Sequence, residues 1–330
     1  MVSRGWTRRS FALGIAALAG CALEEGEVRR LPPEPGNAVL RPWLTLTGGW
    51  RVDSASPLQL QRPAGGRVNF IQPVGVTARN DVLLVADAGA RVIWRYDRAR
   101  DGIAQFAAFT GGVPEAGASL QLGNDFSAWV AQPADHAVVQ YDLRGRPVRR
   151  WASEPDAPRP VAVVVPEDRS EILVGDGATA RVIVFDPLGR PREVLGGTRP
   201  GVLQSVAAMA LGPRGLYVLD RIAQQVVVLD RRGAPVEVIG EHQLVQPRAL
   251  AVDASGRVFV SDEMEQRIKV FRDGKLLASV GGQGNGPGRF GRIEAMALDG
   301  NLLYVADSLN ARVEVLLVSP PSMETPEPPR

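Results

Sequence analysis

The strongest constraint on what this chain can fold into is a repeat of about 44 residues. An apolar run that ends on a polar residue, followed by a short turn and a second apolar run, recurs six times. The anchors are Asp87, Gln132, Asp176, Asp220, Asp262 and Asp307, spaced by 45, 44, 44, 42 and 45 residues. Another apolar run precedes each anchor pair (VGVTA, LQL, VAVVV, AAMAL, ALAVD, AMALD), and most units close on a run that ends in glycine, such as AAFTGG, REVLGG or LASVGG. Four short strands separated by Gly, Pro or Asp turns within roughly 40–50 residues make one propeller blade. Many of these strands are apolar throughout, as strands become when both faces are covered. A β-solenoid would use shorter coils and would need a cap at each end. The expected fold is therefore all-β, a six-bladed β-propeller of four-stranded antiparallel blades.

The sixth unit is one strand short. After IEAMALD, LLYVAD and ARVEVLLV comes SPPSMETPEPPR, which has no strand character. An open sheet edge recruits other chains, so a partner strand is needed from elsewhere. Trp43-Leu44-Thr45-Leu46-Thr47-Gly48-Gly49, just ahead of the first unit, resembles the glycine-ended closing runs. Residues 43–49 are expected to complete the sixth blade and close a monomeric ring.

With 36 Gly, 26 Pro and 45% hydrophobic residues in 330, the chain is turn-rich and able to bury a sizeable core. Its formal charge of +2 comes from the first twenty residues, where Arg4, Arg8 and Arg9 stand without an acid; the remainder carries 35 basic against 36 acidic side chains. That balance gives no electrostatic footprint for nucleic acid. The sole cysteine, Cys21, follows a basic start and an apolar stretch from Phe11 to Ala19, the plan of a signal segment. Leu18-Ala19-Gly20-Cys21 resembles the lipobox of bacterial lipoproteins, which implies that Cys21 is lipidated and becomes the N-terminus. Thr7-Arg8-Arg9-Ser10-Phe11-Ala12-Leu13 resembles the twin-arginine export signal, with Arg8 and Arg9 as its pair. The expected organisation is a signal peptide over 1–20, the lipidated cysteine and a flexible, charged, Pro-rich tether over 21–39, the propeller over 40–318, and a Pro-rich tail over 319–330. The lipoprotein resemblance implies an anchored, extracytoplasmic protein; Ala22 after the cysteine favours the outer membrane in a two-membrane bacterium.

The units resemble NHL repeats. The likeness rests on Gln72-Pro73-Val74-Gly75-Val76, on Gln246 to Asp253 (QPRALAVD), on Gly300 to Asp307 (GNLLYVAD) with Asn310-Ala311-Arg312-Val313, and on the connector GGQGNGPGRFGR at 281–292. The second unit is degenerate, with Gln132 in place of the aspartate. A residue that recurs once per blade serves the repeat, so the anchor aspartates are expected to bond turn N–H groups, with Arg91, Arg181, Arg267 and Arg312 bracing the loops. Function is expected where the pattern breaks. In this fold the first strand of each blade lines a central channel. The positions thirteen residues before the anchors are Val74, Ser119, Val163, Ala207, Ala249 and Glu294, and alignment on AVD sets Arg248 opposite Glu294. Arg248, Glu294 and Ser119 are the candidate ligand contacts, with a plain ion pair as the bland alternative for the first two.

Propellers of this kind include gluconolactonase-like hydrolases and streptogramin lyases, a resemblance that implies a divalent metal at the channel mouth. Only His136 and His242 are present, too few for a histidine-rich zinc site. The ring positions offer one carboxylate and one hydroxyl, short of the six or more oxygens that calcium takes. No Gly-x-Ser-x-Gly and no Cys/His pair occurs. The expectation is a binding or scaffold module with an envelope protein partner, no catalytic residue, no metal and no cofactor. The alternative is a metal-dependent lactonase- or lyase-like enzyme, in which calcium would act at the channel.

Overall fold

Continuous apolar strands need cover on both faces, and in the computed structural model six sheets provide it for one another. The structure describes residues 39–52, 63–109, 112, 117–151, 157, 159–196 and 202–321. Cys21, Arg8, Arg9, the tether up to residue 38 and residues 322–330 lie outside the described residues.

Blade one is built from Pro73–Arg79, Val82–Asp87, Val92–Asp97 and Gly102–Ala108. Blade two uses Leu120–Leu122, Ala128–Gln132, Ala137–Tyr141 and Pro147–Trp151. Blade three follows with Pro160–Val164, Ile172–Asp176, Arg181–Phe185 and Pro191–Leu195. Blade four has Ala208–Gly212, Gly215–Asp220, Gln225–Leu229 and Pro235–Ile239. Blade five has Pro247–Val252, Val258–Asp262, Arg267–Arg272 and Lys275–Gly281. Blade six takes Ile293–Asp299, Leu302–Asp307 and Arg312–Val318 from the end of the chain and Leu40–Leu46 from its beginning. The inner strands touch in sequence from blade to blade, and blade six returns to blade one.

The core is divided among the seams. Each of six hydrophobic clusters lies between two neighbouring blades; Val74, Leu84, Ile93, Leu120, Val130 and Val139, for example, fill the seam between blades one and two. Burial peaks inside the blades and falls toward the channel as well as toward the rim: Ala208–Gly212 beside the axis has no fully buried residue. Val82–Asp87 is buried throughout, whereas the outer strands Pro147–Trp151 and Pro191–Leu195 bury fully only their last residue.

The closing strand is Leu40–Leu46, three residues earlier than the expected 43–49. It pairs antiparallel with Arg312–Val318, with Leu40 opposite Val318 and Leu46 opposite Val313. A bulge between Pro42 and Leu44 changes the face that the side chains address. Leu40 packs into the seam with blade five, and Leu44 and Leu46 pack into the seam with blade one. Gly48 then turns the chain away: its φ is +143°, and a Cβ there would lie 1.9 Å from the Val68 carbonyl oxygen. Gly48–Val52 pairs with Pro63–Asn69, and this hairpin adds to the outer edge of blade one through a parallel pairing with Gly102–Ala108. Blade one's sheet therefore has six strands.

Inner strands run away from the face that holds the anchors, because Ile293 pairs with Asp307 and Pro247 with Asp262. The first described residue, Val39, adjoins the other end of blade six, where its carbonyl accepts the Ser319 N–H at 3.0 Å. The chain thus enters the ring on the face opposite the anchors.

Candidate functional site

The anchors are structural groups. Asp87, Asp176, Asp220, Asp262 and Asp307 are all fully buried, and each carboxylate gathers donors from the turn after its strand and from the connector that leads into its blade. Asp87 accepts the N–H groups of Ile71 and Gln72, both at 2.9 Å, and of Ala90 at 3.1 Å. Asp307 does the same with Gly291 and Arg292, at 2.8 and 3.0 Å. For Asp262, burial works against the charge, but the Val245 and Gln246 N–H groups and the Lys269 ammonium at 3.0 Å outweigh it and hold the carboxyl below its ordinary range. Gln132 in blade two donates to the Tyr141 hydroxyl at 2.9 Å instead. Of the four arginines expected to brace the loops, Arg312 is bonded to its anchor, at 3.0 Å. In blade five that place is taken by Lys269, seven residues after the anchor, because its ammonium reaches both Asp262 and the Gln243 carbonyl. In blade one the anchor takes the Trp94 indole N–H at 3.3 Å.

Around the axis the inner strands enclose a channel of about 620 Å³. Ser119, Val163, Ala207, Ala249 and Glu294 line it, but Val74 does not: it is fully buried in the seam with blade two, and Val76 faces the channel instead. Ser119 Oγ accepts the Val163 N–H at 3.1 Å. Two residues on, the Gln121 side-chain amide receives the Val165 N–H at 2.6 Å and donates to the Val165 carbonyl at 2.5 Å. The short inner strand of blade two thus closes the open edge of blade three's inner strand with side chains. On blades four to six the channel positions are Ala207, Met209, Ala249, Ala251, Ala295 and Ala297.

Arg248 and Glu294 meet at the mouth on the anchor face. Arg248 Nη1 donates to Glu294 Oε2 at 2.8 Å, while its Nε and Nη2 both donate to Glu263 Oε2, at 3.0 and 2.5 Å. Glu294 is buried, its side chain 1% exposed, and the same oxygen takes the Gly117 N–H from blade two's connector at 3.1 Å. Arg221 approaches Glu263 at 3.6 Å, and Arg292 lies 3.5 Å from Glu263 and 3.9 Å from Glu294. The pair expected from the alignment is therefore the centre of a five-residue ion network across blades four, five and six. At the far end Arg79 and Glu167 join blades one and three at 3.1 Å, past the three-residue inner strand of blade two.

The mouth does not suit a divalent cation. Both of its carboxylates are bonded to Arg248, and at this end Arg159, Arg221 and Arg248 line the channel against the one carboxylate of Glu294. A dication there would face like charge in a partly desolvated site. Among the described residues no group of three or more His, Cys, Asp or Glu is placed to hold a metal. His136 ends a 3₁₀ turn in blade two and His242 is exposed in the connector into blade five; they lie in non-adjacent blades.

Glu263 and Arg221 escape an alignment made on strands because they sit one residue past the anchors. That column reads Ala88, Pro133, Gly177, Arg221, Glu263 and Ser308, and its two charged members fall in adjacent blades. The next column reads Gly89, Ala134, Ala178, Ile222, Met264 and Leu309. Ile222, Met264 and Leu309 are each more than 60% exposed on the anchor face. Ile71, 59% exposed, covers Gly89 in blade one. An arc of apolar side chains over blades four, five, six and one thus borders the charged mouth.

No protein-family model matches the chain, and no curated protein sequence does. Solved structures share its fold at low identity. A gluconolactonase from Xanthomonas campestris is 16% identical with a TM-score of 0.61, over 89% of this chain and 97% of that one. A protein of unknown function from Bacteroides thetaiotaomicron is 15% identical with a TM-score of 0.60, over 83% and 76%. Virginiamycin B lyase from Staphylococcus aureus is 12% identical with a TM-score of 0.55, over 75% and 95%. At these identities the likeness establishes a β-propeller fold shared with lactonase and lyase structures, and nothing finer.

Proposed function

We propose that this chain is a lipid-anchored, extracytoplasmic propeller of NHL type, exported through Arg8 and Arg9, that binds a protein partner of the cell envelope on its anchor face. The observation that carries the reading is the apolar arc of Ile71, Ile222, Met264 and Leu309 on one face. Large apolar side chains grouped on one surface mark interaction sites, whereas scattered ones do not. The tether supports the same choice of face. It joins the ring on the opposite side, so attachment at Cys21 leaves the arc clear of the point where the tether enters. The central ion network belongs to this reading as a brace. Arg248 ties the inner strand of blade five to that of blade six, and Glu294 reaches the connector of blade two.

The competing reading is a hydrolase or lyase acting at the channel. It draws on the gluconolactonase and lyase neighbours and on a buried carboxylate at the mouth of a channel of ligand size. One comparison separates the two. Lactone hydrolysis is assayed with and without added calcium, and partner capture is measured in parallel, for the wild type, for Arg248→Ala/Glu294→Ala and for Met264→Asp/Leu309→Asp. The binding reading expects no turnover in any of them and capture lost only in the Met264/Leu309 variant. Turnover in the wild type that disappears with Arg248 and Glu294 would overturn it.

A further inference from the structure

The channel has a chemistry of its own, although Ile222 of the apolar arc stands on its rim. At the mouth its lining holds three guanidinium groups, Arg159, Arg221 and Arg248, against Glu294. Arg248 is fully engaged by Glu263 and Glu294. The surplus positive charge therefore resides on Arg159 of blade three and Arg221 of blade four, which are neighbours around the ring. Arg221 is half-exposed, its nearest carboxylate 3.6 Å away. Below these two the wall loses its polar groups: Val163, Val206, Ala207, Met209 and Ala249 face the shaft on this side. The polar side chains of the other side, Ser119 and Gln121, are bonded to the backbone of blade three.

A guanidinium pair above an apolar shaft selects a ligand with two ends. The charged end is matched by a carboxylate, which arginine binds through paired, nearly planar N–H donors. A polyanion fits less well, because Glu263 and Glu294 stand beside the arginines and would repel additional negative charge. The apolar end gains by leaving water for a wall of Val, Ala and Met. The volume of about 620 Å³ lies in the range of small-molecule sites.

We infer that the channel binds a small amphiphilic carboxylate, its carboxylate between Arg159 and Arg221 and its apolar body in the shaft beside Ala207 and Ala249. Ile222 lies on the rim that the channel shares with the apolar arc, whereas Met264 and Leu309 lie outside the channel lining, so changes at those two positions separate this site from the protein-binding reading.

Octanoate, octanamide and octylamine serve as probes, titrated calorimetrically into the lipid-free chain. Octanoate is expected to bind with a stoichiometry of one and to weaken as salt is raised. Octanamide, equal in length but uncharged, should bind at least about tenfold more weakly, the loss of one charge-assisted contact, and octylamine should not bind. Arg159→Gln/Arg221→Gln changes exposed side chains; it should leave thermal unfolding unaltered and bring octanoate to the level of octanamide. Ala207→Phe, which fills the shaft, should abolish both. Equal affinity for octanoate and octanamide, octanoate binding that ignores the double arginine change, or no binding of octanoate by the folded wild type would each overturn the assignment. Loss of partner capture in Met264→Asp/Leu309→Asp with octanoate binding intact would show the two sites to be separate.

Discussion

Removing the strand that closes the ring should cost most of the stability of the domain. Leu40, Leu44 and Leu46 are 1%, 3% and 1% exposed and enter the seams on both sides of blade six. At about 1.5–3 kcal/mol for each fully buried leucine, their loss amounts to roughly 5–9 kcal/mol. A whole domain has a net stability of about 5–15 kcal/mol. The deletion also removes Thr45, whose hydroxyl donates to Glu314 at 2.8 Å. Burial already raises the Glu314 carboxyl above its ordinary range, opposed by Arg312, Thr45 and the Gly288 N–H. Without Thr45 that group loses a donor, and the edge of Arg312–Val318 is left unpaired. Deletion of residues 40–46 should therefore give aggregation in size-exclusion chromatography, or urea unfolding by tryptophan fluorescence at a much lower midpoint. Single variants scale the effect: Leu46→Ala should cost about 2–5 kcal/mol. A permuted chain supplies the control. Val318 and Leu40 are paired at the same end of blade six, so moving residues 39–46 behind Ser319 through a short turn should restore the blade and its stability. A deletion variant that stays monomeric with an unchanged midpoint would refute the closure.

Three shorter expectations follow from other parts of the chain. Arg95 is 8% exposed, its Nη1 has no hydrogen-bond partner among the described residues, and burial pulls its guanidinium down to about 10 against the attraction of Asp97. Arg95→Met keeps most of the packed stem and removes the buried charge, so urea unfolding should show a gain of about 1–3 kcal/mol; a loss of that size would mean that the cation is satisfied. The Asp262 carboxyl is held below its unfolded value of 3.8, so its contribution is complete above that pH and fades as the pH falls through the folded value. Asp262→Asn should flatten the acid limb of stability below about pH 4 by up to about 1.4 kcal/mol per pH unit, and an unaltered slope would count against the attribution. Cys21→Ser should move the protein from the membrane fraction to the soluble one and leave its N-terminus unprocessed, read by fractionation and mass spectrometry; a retained, normally processed protein would contradict lipidation.

The repeat made the blades legible because the anchor aspartates recur for a geometric reason: each must accept N–H groups from the turn and connector of its own blade. The sequence puts the closing strand three residues too far along because WLTLTGG matches the glycine-ended runs of the other units. In those units the glycines precede a connector to the next blade. Here Gly48 opens a hairpin, and the extra pair of strands has no counterpart in the repeat from which to predict it. The meeting of Arg248 and Glu294 followed from alignment alone, since equivalent positions on neighbouring inner strands are adjacent in space. Glu263, Arg221 and Arg159 lay in turns and connectors that strand periodicity ignores. Val74 illustrates the reverse error. Val74 and Glu294 occupy the same place, each inside the same register shift, but the short valine ends in the seam with blade two while the longer glutamate reaches the mouth, and Val76 lines the channel.

The central claim is that one face of the propeller holds a partner, and site-specific photo-cross-linking in intact cells tests it most directly. A benzophenone amino acid would replace Met264, Leu309, Ile222 or Ile71 on the anchor face. Leu188 and Val148, 64% and 57% exposed on the blade three turn and the blade two outer strand, provide controls of similar apolar character. One adduct of common mass is expected from the four anchor-face positions and none from the two controls. Adducts from Leu188 and Val148, with none from the anchor face, would contradict it.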